Sequence, residues 1–215
     1  MRSLLPALLA FAGLARGVPA QTLADYDYEN LSFRGIGFDW GWLWPSKVEP
    51  TSAYSLRLDL GYLGPGVRIA PSITYWSSRM RERELKRLAE RLRPLGATVT
   101  ADQLAPIDWS DLALQLDAHY VWTTPVRLLP YVGGGLGVHT LNGQGKAIQD
   151  TFVEDLLDAI TAGVVVLAGL EYAPLDRFRL YGEARYTLLA DVHYGGVRIG
   201  GAIMLLPRAG AGEAR

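Results

Sequence analysis

Six carboxylates and five arginines fall in one phase of a strand-like alternation: Asp39, Arg57, Asp59, Arg68, Asp111, Asp117, Glu171, Arg179, Glu183, Arg185 and Arg198. Successive side chains of a strand point to opposite faces. The stretch RLYGEARYTLLA (179–190) therefore carries Arg179, Tyr181, Glu183 and Arg185 on one side, and Leu180, Gly182, Ala184, Tyr186 and Leu188 on the other. Such a set could act as catalytic carboxylates, as an ion filter, or as mutually neutralising pairs. The near balance of signs points to pairing.

His119 and His139 share the phase of the charges but fall toward opposite rims, too far apart for one metal ion. His139 is within reach of Asp111 on the neighbouring strand. His193, beside Asp191, sits in a loop without metal-ligand spacing. The chain has no cysteine, so disulfides contribute nothing. No clustered nucleophile and base stands out. The run GQGKA (143–147) lacks the first glycine of a phosphate loop, and Ala147 stands where Ser or Thr would hold Mg²⁺. These readings predict no catalytic residues, no metal and no cofactor.

Eight alternating segments must position these side chains: about 31–44, 52–63, 67–77, 109–122, 129–140, 162–172, 179–190 and 195–206. Each is longer than the ~5–6 residues of an average soluble strand. Each also meets the ~9–11 that a tilted membrane strand requires. No segment beyond the N-terminus is an apolar 18-mer, and without a spanning helix only a closed barrel satisfies the backbone in lipid. The predicted fold is all-β: an eight-stranded antiparallel up-and-down transmembrane β-barrel with short helices in two extracellular loops. Short turns at 63–66, 123–128 and 174–177 should form the periplasmic rim. Longer connections at 45–51, 79–108 and 141–161 should form the other, with 191–194 a short exception.

Apolar side chains then face lipid and the charges face the lumen. An eight-stranded barrel is just wide enough for side chains to fill it, so the charged set is expected to be a lumen ion-pair network. Arg179 should lie opposite Glu171, and Arg198 one strand from Glu183. Inward glycines at 35, 37, 41, 133, 135 and 137 should make room for arginine side chains, or leave a small water path. Two aromatic girdles are expected. Trp40, Trp42, Trp44, Tyr54 and Tyr75 belong to the outer one. Tyr120, Trp122, Tyr172 and Tyr62 belong to the inner.

The first twenty residues read as a signal peptide, with Arg2 before the apolar Leu4–Leu14 and small residues at Val18–Ala20. Residues 21–30 are then an N-terminal periplasmic segment, 31–206 the barrel with a helical extracellular insertion at 79–108, and 207–215 a tail. Removing Arg2 and Arg16 leaves 19 basic residues (21 − 2) against 22 acidic ones, a net charge of −3 and no nucleic-acid footprint.

Within the insertion, 80–96 has helical periodicity with Leu85, Leu88, Leu92 and Leu95 on one side. From Arg79 to Arg93 it carries seven basic and three acidic residues. The second loop contains TFVEDLLDAI (151–160), where Thr151 and Glu154 are spaced as a capping box and every charge is acidic. The two helices are expected to dock over the mouth with opposite charges adjacent. Alternatively, the basic helix contacts lipopolysaccharide phosphates.

The segments PYVGGGLG (130–137), YGEARY (181–186) and RIGGAIML (198–205) carry a resemblance to the small eight-stranded outer-membrane barrels of the OmpA-transmembrane-domain, OmpX and OmpW kind. That resemblance implies residence in the outer membrane and insertion by its assembly machinery. Arg198, Gly200, Ile203 and Leu205 would carry the assembly signal. The partners expected are outer-membrane lipids and, through the basic helix, lipopolysaccharide, with the chain a monomer. The function expected is non-enzymatic: envelope architecture, surface interaction or slow small-solute passage. The alternatives are a carrier for small hydrophobic ligands, OmpW-like or soluble and lipocalin-like, and a lipid-modifying outer-membrane enzyme.

Overall fold

A computed structural model gives the arrangement of residues 31–95, 100–149, 151–190 and 192–205. The expected signal peptide, the 21–30 segment and the 207–215 tail lie outside the described residues.

Eight antiparallel strands form one closed sheet: β1 (Gly35–Pro45), β2 (Thr51–Asp59), β3 (Val67–Arg79), β4 (Asp108–Val121), β5 (Leu128–Gln144), β6 (Ala159–Leu175), β7 (Phe178–Leu189) and β8 (His193–Met204). Each pairs with its neighbours in sequence, and β1 pairs with both β2 and β8, which closes the cylinder. Closure leaves no unpaired edge, the condition for a sheet in hydrocarbon.

The period-2 pattern sorts the side chains as expected. Leu114, Leu136 and Ile199 on the outer wall are 60%, 67% and 65% exposed, while Asp111, Asp117 and Glu183 inside are at most 4% exposed. This is a water-soluble barrel turned inside out.

Strand β2 departs from the simple alternation. After Asp59 the chain inserts one extra residue, with Gly61 at φ +78°, and resumes pairing with β3 over Tyr62–Gly64. Only glycine enters that left-handed region freely, and its N–H donates to Asp59 Oδ1 at 2.8 Å. The bulge reverses the phase. Tyr62, expected in the inner girdle, points inward and is buried, and Leu63 takes the outer face.

Strands β5 and β6 run for 17 residues each, well beyond the ~9–11 that cross a membrane. Their shared extension, with Leu141 opposite Ala159, shortens the expected 141–161 loop and lifts a cap above the barrel. The cap contains α1 (Glu82–Leu92), a 3₁₀ turn (Arg93–Leu95), α2 (Ala101–Leu104) and α3 (Phe152–Leu157). Helix α1 places Glu82 and Glu84 in its first turn and Arg91 in its last, the order its macrodipole favours. It ends where Pro94 cannot supply a backbone donor.

Helix α3 starts at Thr151, whose hydroxyl accepts from the Val153 N–H at 3.3 Å. It is shorter than the 151–160 periodicity suggests, because Ala159 and Ile160 are taken into the strand ladder with Leu141 and Thr140. The two helices dock as expected: Leu85, Leu88, Ala89 and Leu92 pack with Ile148 and Val153, alongside Leu104 and Ile107. The charges are arranged differently. Arg83 and Arg87 both turn onto Glu84 of their own helix, at 3.1 and 2.9 Å.

Candidate functional site

The barrel interior is built in layers. At the rim that holds the short turns, Glu171 of β6 accepts from Arg68 at 2.7 Å and from Arg179 at 2.8 Å. Asp59 stands 3.7 Å from each of the same two arginines. Arg179 is not opposite Glu171, as expected across the turn. The turn centres on Asp176 and Arg177, with Leu175 opposite Phe178, so Tyr181 stands there and Arg179 reaches Glu171 along a diagonal. Arg68 also lies 3.3 Å from His119 Nδ1 and covers the ring of Tyr131, which stacks on His119.

At mid-height Glu183 is the hub. Its Oε2 accepts from Arg57 at 2.8 Å and from the Tyr131 hydroxyl at 3.0 Å. Its Oε1 accepts from Arg185 at 3.2 Å and lies 3.8 Å from Arg198, directly opposite on β8. Arg185 continues to Asp117 at 3.0 Å and Gln115 at 3.2 Å. Arg198 continues to Ser55 at 3.0 Å and Asp39 at 3.4 Å. Tyr181 donates to Asp39 at 3.1 Å and lies under the Arg57 guanidinium. The central layer thus sets Asp39, Asp117 and Glu183 against Arg57, Arg185 and Arg198. All six are buried, and pairing offsets the desolvation such burial would otherwise impose.

Nearer the cap, Asp111 Oδ2 is 2.8 Å from His139 Nδ1 and accepts from the Tyr194 hydroxyl at 3.2 Å. His119 and His139 therefore serve different layers and share no ligand. Among the described residues, no group of three His, Asp or Glu side chains could hold a metal ion.

Above these layers the inward phase turns apolar. Leu43, Val48, Ala53, Trp76, Trp109, Leu141, Val192 and Tyr194 form a buried cluster across the mouth. This seal was not foreseen, although Leu43 and Trp76 stand in the inward phase at their strand ends, which is the signal that could have found it. At the opposite end, a cavity of about 20 Å³ beside Arg57, Arg68, Glu171 and Arg179 has room for about one water. The inward glycines serve other side chains than arginines in places: a Cβ on Gly135 would collide with the Asp117 carboxylate, and one on Gly163 with the His139 ring.

On the outer wall, Trp40, Trp42, Trp44, Tyr54 and Tyr75 are all exposed, and Trp40, Tyr54 and Tyr75 align in register across β1, β2 and β3. Toward the other rim, Tyr120, Trp122 and Tyr172 are exposed, with Tyr120 and Trp122 edge to face at 5.0 Å. On the last strand, Arg198 and Gly200 face inward against Asp39, while Ile203 and Leu205 face out.

No family model and no curated protein matches the sequence. Among solved structures the chain is similar to Neisserial surface protein A, with a TM-score of 0.55, 17% identity, and coverage of 81% of this chain and 99% of that one. Ail of Yersinia pestis is similar with a TM-score of 0.48 and 16% identity, over 82% of this chain and 99% of its own. The N-terminal β-barrel domain of Pseudomonas aeruginosa OprF gives 0.47 and 16%, over 79% and 97%. By closure, strand number, lipid-type exterior and this likeness, the chain has the fold of the small eight-stranded outer-membrane β-barrels.

Proposed function

We propose that the protein is an integral outer-membrane barrel with a sealed lumen, non-enzymatic, serving as a rigid membrane anchor that presents its helical cap at the cell surface. One observation carries this reading: layers of buried ion pairs fill the lumen, and an apolar cluster lies across its mouth. Passage of a solute would require a concerted break of buried ion pairs, and single buried charges left unpaired are costly. The geometry therefore supports an anchor over a pore or a conduit for hydrophobic ligands.

In this orientation both described ends of the chain lie at the periplasmic rim and α1 lies outside. The exposed aromatics form the two interfacial belts, and the closing strand, with Arg198, Gly200, Ile203 and Leu205, is the element read by the assembly machinery. Exposed basic residues of the cap, Arg79, Arg83, Lys86, Arg87 and Arg93, would meet lipopolysaccharide phosphates.

The test has two parts. Fractionation should place the chain in the outer membrane with heat-modifiable gel migration, and planar-bilayer recordings should show no steady conductance. A stable open channel in the unmodified protein would overturn the sealed-anchor reading, and recovery of a native, detergent-free soluble chain would overturn the membrane reading.

A further inference from the structure

Between the apolar seal of the lumen and the core of the cap lies a cavity of about 220 Å³. Trp109 and Leu141, from the seal, form its floor, and Met80 and Leu88, from the cap cluster, face them. Leu157 and Ala159 close another side, and Lys47, Glu84 and Arg91 supply the polar lining. Packed interiors hold few voids larger than a water molecule. The lower cavity of the lumen, at about 20 Å³, is of that ordinary kind; the upper one is not.

Its electrostatics are one-sided. Glu84, Leu88 and Arg91 stand at helical spacing on one face of α1. The Glu84 carboxylate is already matched, since one of its oxygens accepts from both Arg83 and Arg87. Lys47 and Arg91 form no ion pair with a described carboxylate, and Lys47 Nζ is held 5.5 Å from the Trp109 ring centroid. Two uncompensated cations thus border a pocket whose remaining walls are Met80, Leu88, Trp109, Leu141 and Leu157.

We propose that this cavity binds a small monocarboxylate with a short apolar body, its carboxylate taken by Lys47 and Arg91 and its body by Leu88, Trp109, Leu141 and Leu157. The space is below the ~300–1,000 Å³ of pockets for drug-sized ligands, so the occupant is short. The seal beneath makes it a blind pocket, a surface receptor site rather than the entrance to a channel. This assignment does not depend on whether the lumen conducts.

Calorimetric titration of the folded chain in phosphatidylcholine nanodiscs tests it, with hexanoate, hexanol and hexylamine as probes and empty nanodiscs subtracted. Hexanoate should bind saturably, hexanol at least tenfold more weakly, and hexylamine without saturation. The Lys47→Met/Arg91→Met double variant should lose at least tenfold in hexanoate affinity with hexanol unchanged. Ala159→Leu, which fills the space, should abolish both, and heat-modifiable migration verifies that each variant is folded. Hexanoate heats equal to those of empty nanodiscs, equal affinity for hexylamine, or an unaltered isotherm in the double variant would each overturn the proposal.

Discussion

Arg57 on β2 and Glu183 on β7 meet across the lumen at 2.8 Å, although β1 and β8 separate their strands in the sheet. The pair is a chord through the cylinder rather than a rung of the ladder. Arg185 to Asp117 and Arg68 to Glu171 are chords too, each skipping two strands. Together they brace the wall from within, in a fold whose outer face has only lipid to pack against.

Because Glu183 takes Arg57 and Arg185 and lies close to Arg198, Glu183→Gln leaves three buried guanidinium groups short of one charge. Removing one partner of a buried pair costs about 3–5 kcal/mol. The expected outcome is a loss of that order in urea unfolding followed by gel migration. Glu183→Leu combined with Arg57→Leu should cost less than the sum of the two single changes, because neither partner is then stranded.

The outer wall responds to depth. Leu114 lies in the middle of β4, between Ile73 and Val138 on the neighbouring strands, and is 60% exposed. Leu114→Arg should destabilise the folded barrel by about 2–4 kcal/mol, the midplane value for a lipid-facing arginine. Leu63→Arg, beside the short turn at the rim, should cost near zero. Equal costs at the two positions would contradict a lipid-facing wall.

The cap has its own core. Leu88 is 1% exposed within a cluster of cap residues that is separate from the cluster sealing the lumen. Leu88→Ala should loosen the cap by about 2–5 kcal/mol without opening the barrel. Faster tryptic cleavage in the 81–93 region with unchanged heat-modifiable migration is the signature.

Gly169 faces the Tyr131 ring so closely that a Cβ there would occupy the place of its hydroxyl end. Gly169→Val should displace Tyr131, break its 3.0 Å hydrogen bond to Glu183, and cost at least the ~1–3 kcal/mol typical of overpacking. Tyr131→Ala in the same chain should restore part of the loss, measured by urea midpoint.

On the surface of α1, Glu82 and Lys86 pair at 2.6 Å, and both are solvated. The Lys86 ammonium, by its hydrogen bond and its charge, lowers the Glu82 carboxyl from its ordinary 4.5, and Glu82 raises Lys86 from 10.5. A lowered carboxyl pKa contributes stability above the unfolded value and loses it as pH falls through the folded one. A raised amine contributes below its unfolded value and loses it as pH rises past the folded one. Amide exchange in α1 should therefore be most protected between these limits and quicken on either side, by little, and less so in high salt. Glu82→Gln should remove the acid-side change.

Much of this molecule was legible in a period of two. Because a strand alternates strictly, the residue types alone determined that Asp39, Arg57, Asp117, Glu183, Arg185 and Arg198 share one face and Leu112, Leu114 and Leu116 the other. Strand length together with that alternation implied a closed, membrane-type barrel. Alternation assigns a face and nothing further. Which charge meets which depends on closure and stagger, so chords such as Arg57 to Glu183, 126 positions apart, had no local signal. Two local events also escaped the pattern. One left-handed glycine, Gly61, reversed the phase and took Tyr62 inside, and a turn centred on Asp176 and Arg177 set Arg179 diagonal to Glu171. The seal of Leu43, Trp76, Trp109 and Leu141, and the cavity above it, exist only because distant strand ends converge at one mouth. That convergence is set by packing in three dimensions, where no residue's own type or neighbours in the chain specify it.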